Sequence, residues 1–394
     1  MEYLKKINLN LATLAVLIFL PLVLITDFIF KIQMKLDVNF ISFTLPLKII
    51  ISLILMLFLI IKIQGNPKML SSLALVALLF FFNVISNFSL GLESKVLYET
   101  FYLQFMFLFG LVVLVFFNEY YNLLNVKYII KMLEFFIIIN FVCICLGYFF
   151  NLKIFTSYTT RFGFNGIFKG NAVASYFYMF VIVLFHIKKS NKSLIFLLIS
   201  IISTLFVGSK TLYFFIFLFG ILIFYEFLLK KIKNKNIRVF RTVFLLLGAV
   251  FLFLFSFFII ESNELLKDLY LNKGYITALF SYRDLLIINA YDLIMVNWKP
   301  IHYLIGGIGE ISKMTETGIL DLFLNYGIVG STIYFYVFAS NIYYIASRKV
   351  LILISPIVLS IIFRGNFFYF PSVILISMII FVTINKIYKK EYYD

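Results

Sequence analysis

Between residues 261 and 330 the chain gathers Arg283, Asp284, His302, Glu310, Glu316 and Asp321 into one long stretch that is not a hydrophobic span. A guanidinium beside carboxylates is the equipment for holding a phosphate and for taking a proton from a hydroxyl. Arg283 stands in Ser281-Tyr282-Arg283-Asp284 at the start of a predicted helix. Its planar fork suits a phosphate, and the plainer alternative is pairing with Asp284 or Asp292. Glu316 either favours the start of the next helix, with Thr315 as cap, or acts as a general base. Asp321 lies deeper, inside an apolar run, where a carboxylate is a functional candidate by default. Five positions apart, Glu316 and Asp321 would stand about 140° apart on a helix and share no face.

Other cations lie far away in sequence. Arg161 sits in Arg161-Phe162-Gly163-Phe164-Asn165-Gly166, where glycines let backbone approach a ligand; it is otherwise an ordinary loop cation. Lys210 closes the tight turn Gly208-Ser209-Lys210-Thr211. The first glycine of a phosphate-binding P-loop is absent and no strand precedes it, which excludes nucleotide binding there. A cation at a helix start still suits an anion, the alternative being a snorkelling lysine. Gly306-Gly307-Ile308-Gly309 has no βαβ surroundings and reads as a flexible re-entry, a hinge between Arg283 and Glu316. His302 reads equally well as a plain loop residue. Lys48 is an interior cation that either snorkels or faces a polar cavity.

The elements that must position these groups are membrane helices. Of 394 residues, 63% are hydrophobic, 20% aromatic and only 13% charged. Soluble chains average about 45–50% apolar and about 25% charged. About twelve apolar spans are readable: 11–30, 41–61, 69–90, 98–117, 129–150, 172–187, 193–208, 211–229, 239–260, 317–340, 350–363 and 368–385. The predicted architecture is all-α, a single polytopic bundle over 1–394 with one large loop at 261–316. Within that loop Leu286, Ala290, Leu293 and Ile294 recur at helical spacing, predicting an amphipathic helix that lies flat. Residues 1–10 followed by a long apolar run read as a first membrane helix rather than a cleaved signal.

The net charge of +16 is spread over short loops, with no basic stripe for nucleic acid. The run 230–238, KKIKNKNIR, is the strongest topological signal. It places 230–238 and both termini on the cytoplasmic side and the 261–316 loop outside. The segments 151–171 and 364–371, with Arg364, then open on the loop's side. Cys143 and Cys145 lie in one span and read as packing residues; with His186 and His302 the only histidines, neither a disulfide nor a metal site is expected.

Taken together these features resemble the Wzy-type O-antigen and capsule polymerases of the O-antigen ligase/polymerase superfamily. The matching pieces are Arg161 with Gly163 and Asn171; Gly208-Ser209-Lys210-Thr211, where relatives often have Gly-Ser-Arg; Ser281-Tyr282-Arg283; the Gly306–Gly309 cluster; and Thr315-Glu316 with Asp321, Tyr326-Gly327 and Gly330. The resemblance covers most of the chain through short, degenerate motifs. It implies a glycosyltransferase without cofactor that joins undecaprenyl-pyrophosphate-linked repeats at the outer face of the cytoplasmic membrane. It also implies a flippase and a chain-length regulator as pathway partners. Arg161, Lys210, Arg283, Asn171 and Arg364 would face the pyrophosphate, and Glu316 or Asp321 would take the acceptor proton. Many relatives carry a histidine where this chain has Glu316, which leaves the base open. The competing readings are a lipid-linked oligosaccharide flippase, which should show two related halves, and a ligase on the same scaffold.

Overall fold

The computed structural model describes residues 10–38, 43–63, 66–89, 94–158, 162–229, 264–307, 314–363 and 366–393, with a few isolated positions between 248 and 261. Regular structure among them is helical, apart from one isolated bridge between Thr156 and Phe164. The order is α1 (Leu11–Leu36), α2 (Thr44–Lys62), α3 (Pro67–Ser89), α4 (Ser94–Tyr120), α5 (Val126–Phe150), α6 (Asn171–Ile187), α7 (Asn191–Val207) and α8 (Lys210–Leu229). Four shorter helices then fill the loop: α9 (Glu264–Lys273), α10 (Tyr275–Phe280), α11 (Arg283–Asn297) and α12 (Pro300–Ile305). Three more end the chain: α13 (Gly318–Ile345), α14 (Arg348–Phe363) and α15 (Pro371–Tyr393). Local chemistry sets many of these starts. Asn10, Asn125 and Ser190 cap α1, α5 and α7 with side-chain oxygens. Proline opens α3, α12 and α15. Gly208, left-handed at φ 67°, ends α7 and lets α8 begin within two residues.

Eight of these helices are long and apolar enough to cross a membrane. α6 and α7 are apolar but shorter, at 17 residues each. Helices stand at every expected span except 239–260, most of which lies outside the described residues. The described residues therefore form an all-α membrane bundle. At its centre are α6, buried on every side, and α15, whose apolar window is 94% buried. A helix that is apolar all round belongs in the middle, and the outer helices α1–α3 present much of their apolar surface outward.

The bundle has two distinguishable ends. At one, Lys62 meets Glu119, Lys188 and Lys192 share Glu134, and Lys386 donates to the carbonyls of Asn122 and Leu124. At the other, the loop end, two non-helical segments dip between the helices. The first is 162–170. At about 1.5 Å per residue α6 spans only about 26 Å, short of the roughly 30 Å hydrocarbon thickness, and this segment completes its column. It descends to Asn140, ten residues inside α5, whose Oδ1 accepts from Ile167 N at 2.8 Å. Lys31 of α1 donates to Asn165 Oδ1 at 2.5 Å and to the Gly166 carbonyl at 2.6 Å. Irregular backbone at such depth persists only where protein satisfies it.

The second segment is 306–307, and here the expected flexible glycine re-entry is corrected. α13 breaks at Gly327, at φ 62° and ψ −166°, and Gly306 packs into the break. A Cβ on Gly306 would stand 2.4 Å from the Asn325 backbone, and one on Gly327 would stand 2.5 Å from Gly306 N. Gly307 N donates to Leu324 O, Trp298 Nε1 donates to Gly307 O, and Ser86 donates to Gly306 O. The glycines form a locked joint; Ile308 and Gly309 lie outside the described residues. His302, which the sequence left open between a site residue and a plain loop residue, is fully buried in this joint. Its Nδ1 accepts from Lys299 N at 2.8 Å, so Nε2 carries the proton and donates to Ser89 Oγ at 2.7 Å.

Replacing Gly306 or Gly327 by alanine should lower the melting stability of the purified protein by about 2 kcal/mol or more. An unchanged melt would show that the joint is loose. Burial pushes His302 below its ordinary pKa. Its neutral form is thus favoured by folding: the contribution is complete above about pH 6.5 and is lost as pH falls through the lowered folded value. Melting temperature should drop on acidification in the wild type and show a smaller acid dependence in His302→Gln; identical pH profiles would remove His302 from the joint.

Candidate functional site

Lys210, at the first position of α8, reaches across to the loop. Its Nζ donates to Ser281 Oγ at 2.7 Å and to the Ala278 carbonyl at 3.2 Å. A cation on the last carbonyls of a helix, here α10, is favourably placed. The tie holds a sharp turn, because Ser281 and Tyr282 are both left-handed, at φ 54° and 70°. Thr277 donates to Asp284 Oδ2 at 2.5 Å across the same turn. The pairing of Arg283 with Asp284 or Asp292 weighed from sequence is not what forms. Arg283 instead projects toward the segment before α13.

There Arg283 Nη2 donates to Glu316 Oε2 at 3.4 Å. Arg283 is 20% and Glu316 49% exposed at the side chain, so the pair is long and half solvated. Such pairs contribute roughly 0–1 kcal/mol, which an incoming anion can readily outcompete. Arg283 Nε is buried without a partner among the described residues. Glu316 is itself left-handed, at φ 55°. Three non-glycine residues in this region therefore sit in a costly backbone region, a pattern that clusters at functional sites.

Asp321 differs from Glu316 in every respect. It is wholly buried on the first turn of α13. Its Oδ1 accepts from Thr315 N at 2.7 Å and from Thr315 Oγ1 at 2.8 Å. Its Oδ2 has no partner among the described residues. Thr315 thus anchors the carboxylate instead of capping α13, whose N-cap is Thr317. A buried polar oxygen without a partner costs about 1–3 kcal/mol, and this one belongs to a carboxylate.

The turn between α14 and α15 packs on the start of α13, the Phe368 ring lying 3.2 Å from where a Cβ on Gly318 would stand. Tyr369 donates to Asn366 Oδ1. Burial raises the Tyr369 pKa above its usual range, with Asp321 and Glu316 adding to the shift and Arg283 opposing it. The phenol is thus within electrostatic reach of Asp321, Glu316 and Arg283. Sequence reasoning singled out this turn but not this residue, and the phenylalanines around Tyr369 hide its role.

The remaining expected residues are placed as follows. Asn171 opens α6 and donates to Tyr158, while its Oδ1 is buried without a partner among the described residues. Tyr158 packs on Gly163, and the Phe162 carbonyl lies against Gly208, so this corner adjoins the Lys210 turn. Arg161, Glu310 and Arg364 lie outside the described residues. α11 buries Ala290 and half-buries Leu286, Leu293 and Ile294, yet Ile288, Tyr291, Met295 and Val296 are exposed. Apolar residues thus occur on both faces, so the helix lacks the clean amphipathicity expected of it. Among the described residues no cluster of His, Cys, Asp and Glu is arranged to hold a metal ion.

Searches against protein-family models, curated proteins and solved structures return no match for this chain.

Lys210→Met should leave the bundle assembled but loosen the Ala278–Arg283 turn, removing a charge-assisted tie of about 1.5–3 kcal/mol. Hydrogen exchange of 275–285 should accelerate about tenfold or more; unaltered protection would mean that the tie carries no weight.

Proposed function

We propose that the chain is a polymerase that joins undecaprenyl-pyrophosphate-linked oligosaccharide repeats at the outer face of the cytoplasmic membrane. One observation carries this reading. Arg283, Glu316 and Asp321 come from separate segments and meet at the end of the bundle where the loop docks. The opposite end collects Lys62, Lys127, Lys188, Lys192, Arg348 and Lys386, which supports placing it in the cytoplasm with both termini. The loop end then faces outward, where lipid-linked repeats are joined into O-antigen or capsule.

The chemistry follows from the groups present. The acceptor hydroxyl attacks the anomeric carbon of the donor glycan. The new carbon–oxygen bond forms as the bond to the pyrophosphate oxygen breaks, and undecaprenyl pyrophosphate leaves with the bonding pair. Arg283, with its weak hold on Glu316 given up, stabilises the growing charge on the leaving group. A carboxylate takes the acceptor proton. Glu316 is released beside the leaving group when Arg283 turns to the diphosphate. Asp321, whose Oδ2 has no partner among the described residues, is the second candidate base. Lys210 supports this chemistry through the turn that aims Arg283, and a direct contact with the anion is not needed for that role.

One observation favours a transporter as the alternative. A helix broken at Gly327, in a bundle with a buried ion pair between Lys48 and Asp27, is also how secondary transporters build mid-membrane sites.

Deleting the gene should leave single repeats on the surface and no long chains, whereas a flippase or a ligase would lose all surface glycan. Arg283→Ala should insert normally and give the single-repeat phenotype. Glu316→Gln and Asp321→Asn should separate the two carboxylates: the base should lose about 100-fold or more in rate, the other far less. Wild-type chain lengths in all three variants would refute the site.

A further inference from the structure

The basic end carries lysines that none of this chemistry uses. Lys127 stands in the first turn of α5, and Lys386, Lys389 and Lys390 stand in the last turns of α15. Lys386 Nζ donates to the Asn122 carbonyl at 3.1 Å and to the Leu124 carbonyl at 2.7 Å. Its ammonium and that of Lys389 also lie over the Tyr121 ring, 5.4 Å and 4.9 Å from the centroid. These contacts tie the end of α15 to the short turn 121–125 that joins α4 to α5. Acids of this end are engaged elsewhere, Glu119 with Lys62 and Glu134 with Lys188 and Lys192. Glu391 follows Lys390 along α15. Among the described residues neither it nor any other carboxylate reaches Lys127, Lys386, Lys389 or Lys390 at ion-pair distance.

Between these elements lies an open pocket of about 360 Å³. Asn10, Leu124, Asn125, Lys127 and Lys390 line it. Ligand pockets begin at roughly 300 Å³, so the space suits a headgroup and not a large molecule. Oxygens of the lining residues are already engaged. The Leu123 carbonyl accepts from Asn10 Nδ2, and the Leu124 carbonyl accepts from Lys386. Asn10 Oδ1 accepts from Thr13 N at 2.9 Å, and Asn125 Oδ1 accepts from Lys127 N at 3.2 Å. The ammonium groups of Lys127 and Lys390 remain. The starts of α1 and α5, helices of 26 and 25 residues, meet at the same pocket and add positive potential. Donors and positive charge thus exceed acceptors, which is the condition for holding an anion.

The rim of the pocket is apolar. Leu123 is 49% exposed, and Leu11, next to Asn10, is 69% exposed. A free phosphate gains nothing from exposed leucines, whereas a lipid brings acyl chains that cover them. The pocket also lies where α1, α5 and α15 end, all three long and apolar enough to cross a membrane. Basic pockets between membrane helices are suited to lipid headgroups at that level. We propose that this pocket binds the phosphate headgroup of an anionic phospholipid from the leaflet at the basic end. Lys127 and Lys390 hold the phosphate, Lys386 and Lys389 add charge beside it, and the acyl chains run along Leu11 and Leu123. Bound there, the lipid bridges the first and last helices of the bundle. The site does not depend on the polymerase reading.

The test titrates the full-length protein in detergent with short-chain phosphatidylglycerol, with phosphatidylcholine of the same chains and with inorganic phosphate, and follows binding and melting temperature. Phosphatidylglycerol should bind about tenfold or more tighter than the other two and raise the melting temperature by mass action. Lys127→Gln combined with Lys390→Gln should erase that preference, and the matching pair of arginine substitutions should keep it. Both lysines are exposed, so the lipid-free melt of these variants should match wild type. Should it fall, the single variants decide, each weakening phosphatidylglycerol about threefold or more. Lys68→Gln combined with Lys349→Gln removes equal charge elsewhere on the basic end and should leave binding intact. Wild-type affinity in the Lys127 and Lys390 glutamine variants overturns the site. An equal loss in the Lys68 and Lys349 variant reduces the effect to surface charge and overturns it as well. Inorganic phosphate binding as tightly as phosphatidylglycerol overturns the lipid assignment.

Discussion

Backbone polar groups inside an apolar bundle must find partners in the protein, and the loop end is built around that requirement. Segment 162–170 and residues 306–307 both leave helical geometry between packed helices. Each is then claimed by side chains from outside it, most of them distant in sequence. Lys31 and Asn140 take the first, and Ser86 and Trp298 take the second. Asn83 adds a bond to the Asn325 carbonyl beside the break in α13. The broken helix matters as much as the loop that fills it. Without Gly327 the carbonyl of Leu324 would stay in its own helix, and Gly307 would lack its acceptor. The loop is therefore held at its root, and the Arg283 turn is held by Lys210. Arg283 and Glu316 hang between two fixed points.

This arrangement sorts the charges by how firmly they are held. Asp321 is buried and fixed through two donors of Thr315. Lys48 and Asp27 form a closed pair deep in the bundle, which would be costly to break by removing either partner. Arg283 and Glu316 are joined by one long contact in partial solvent. Only the last pair can open at little cost, and it is the pair that faces the chemistry on the proposed reading. Strain points the same way. Ser281, Tyr282 and Glu316 hold left-handed backbone that glycine would adopt more easily, which keeps Arg283 and Glu316 pointed at each other although their attraction is small.

The bundle was legible in the sequence because each helix is a local property. Runs of apolar residues, capping asparagines and serines, and prolines at first turns lie within a few positions of what they cause. Arg283, Glu316 and Asp321 were legible as polar groups where apolar ones were expected. What sequence did not reveal is non-local. Lys31 and Asp27 stood at the margin of a span read as ending at residue 30, and their meaning comes from Gly166 and Lys48, far along the chain. Gly327 lay in an apolar run with no sign that the helix breaks there. The break exists because Gly306 needs the space, a contact 21 residues away. Tyr369 was one aromatic among several, and only its neighbours distinguish it.

The two ends of the bundle carry this logic one step further. At the basic end, Glu134 takes two lysines and Glu119 takes Lys62, so the acids there are matched by cations near the surface. At the loop end the balance is reversed in kind. Among the described residues Asp321 has an oxygen with no partner, and Lys169 has a ring where a carboxylate would serve better. A bundle selected for stability alone would pair or remove such groups, because each costs free energy in an apolar setting. On the proposed reading, groups of both signs that lack an ion pair among the described residues at this end are what a site needs when it must take a proton and hold anions. The same two features at opposite ends would have separated those tasks by the thickness of the membrane.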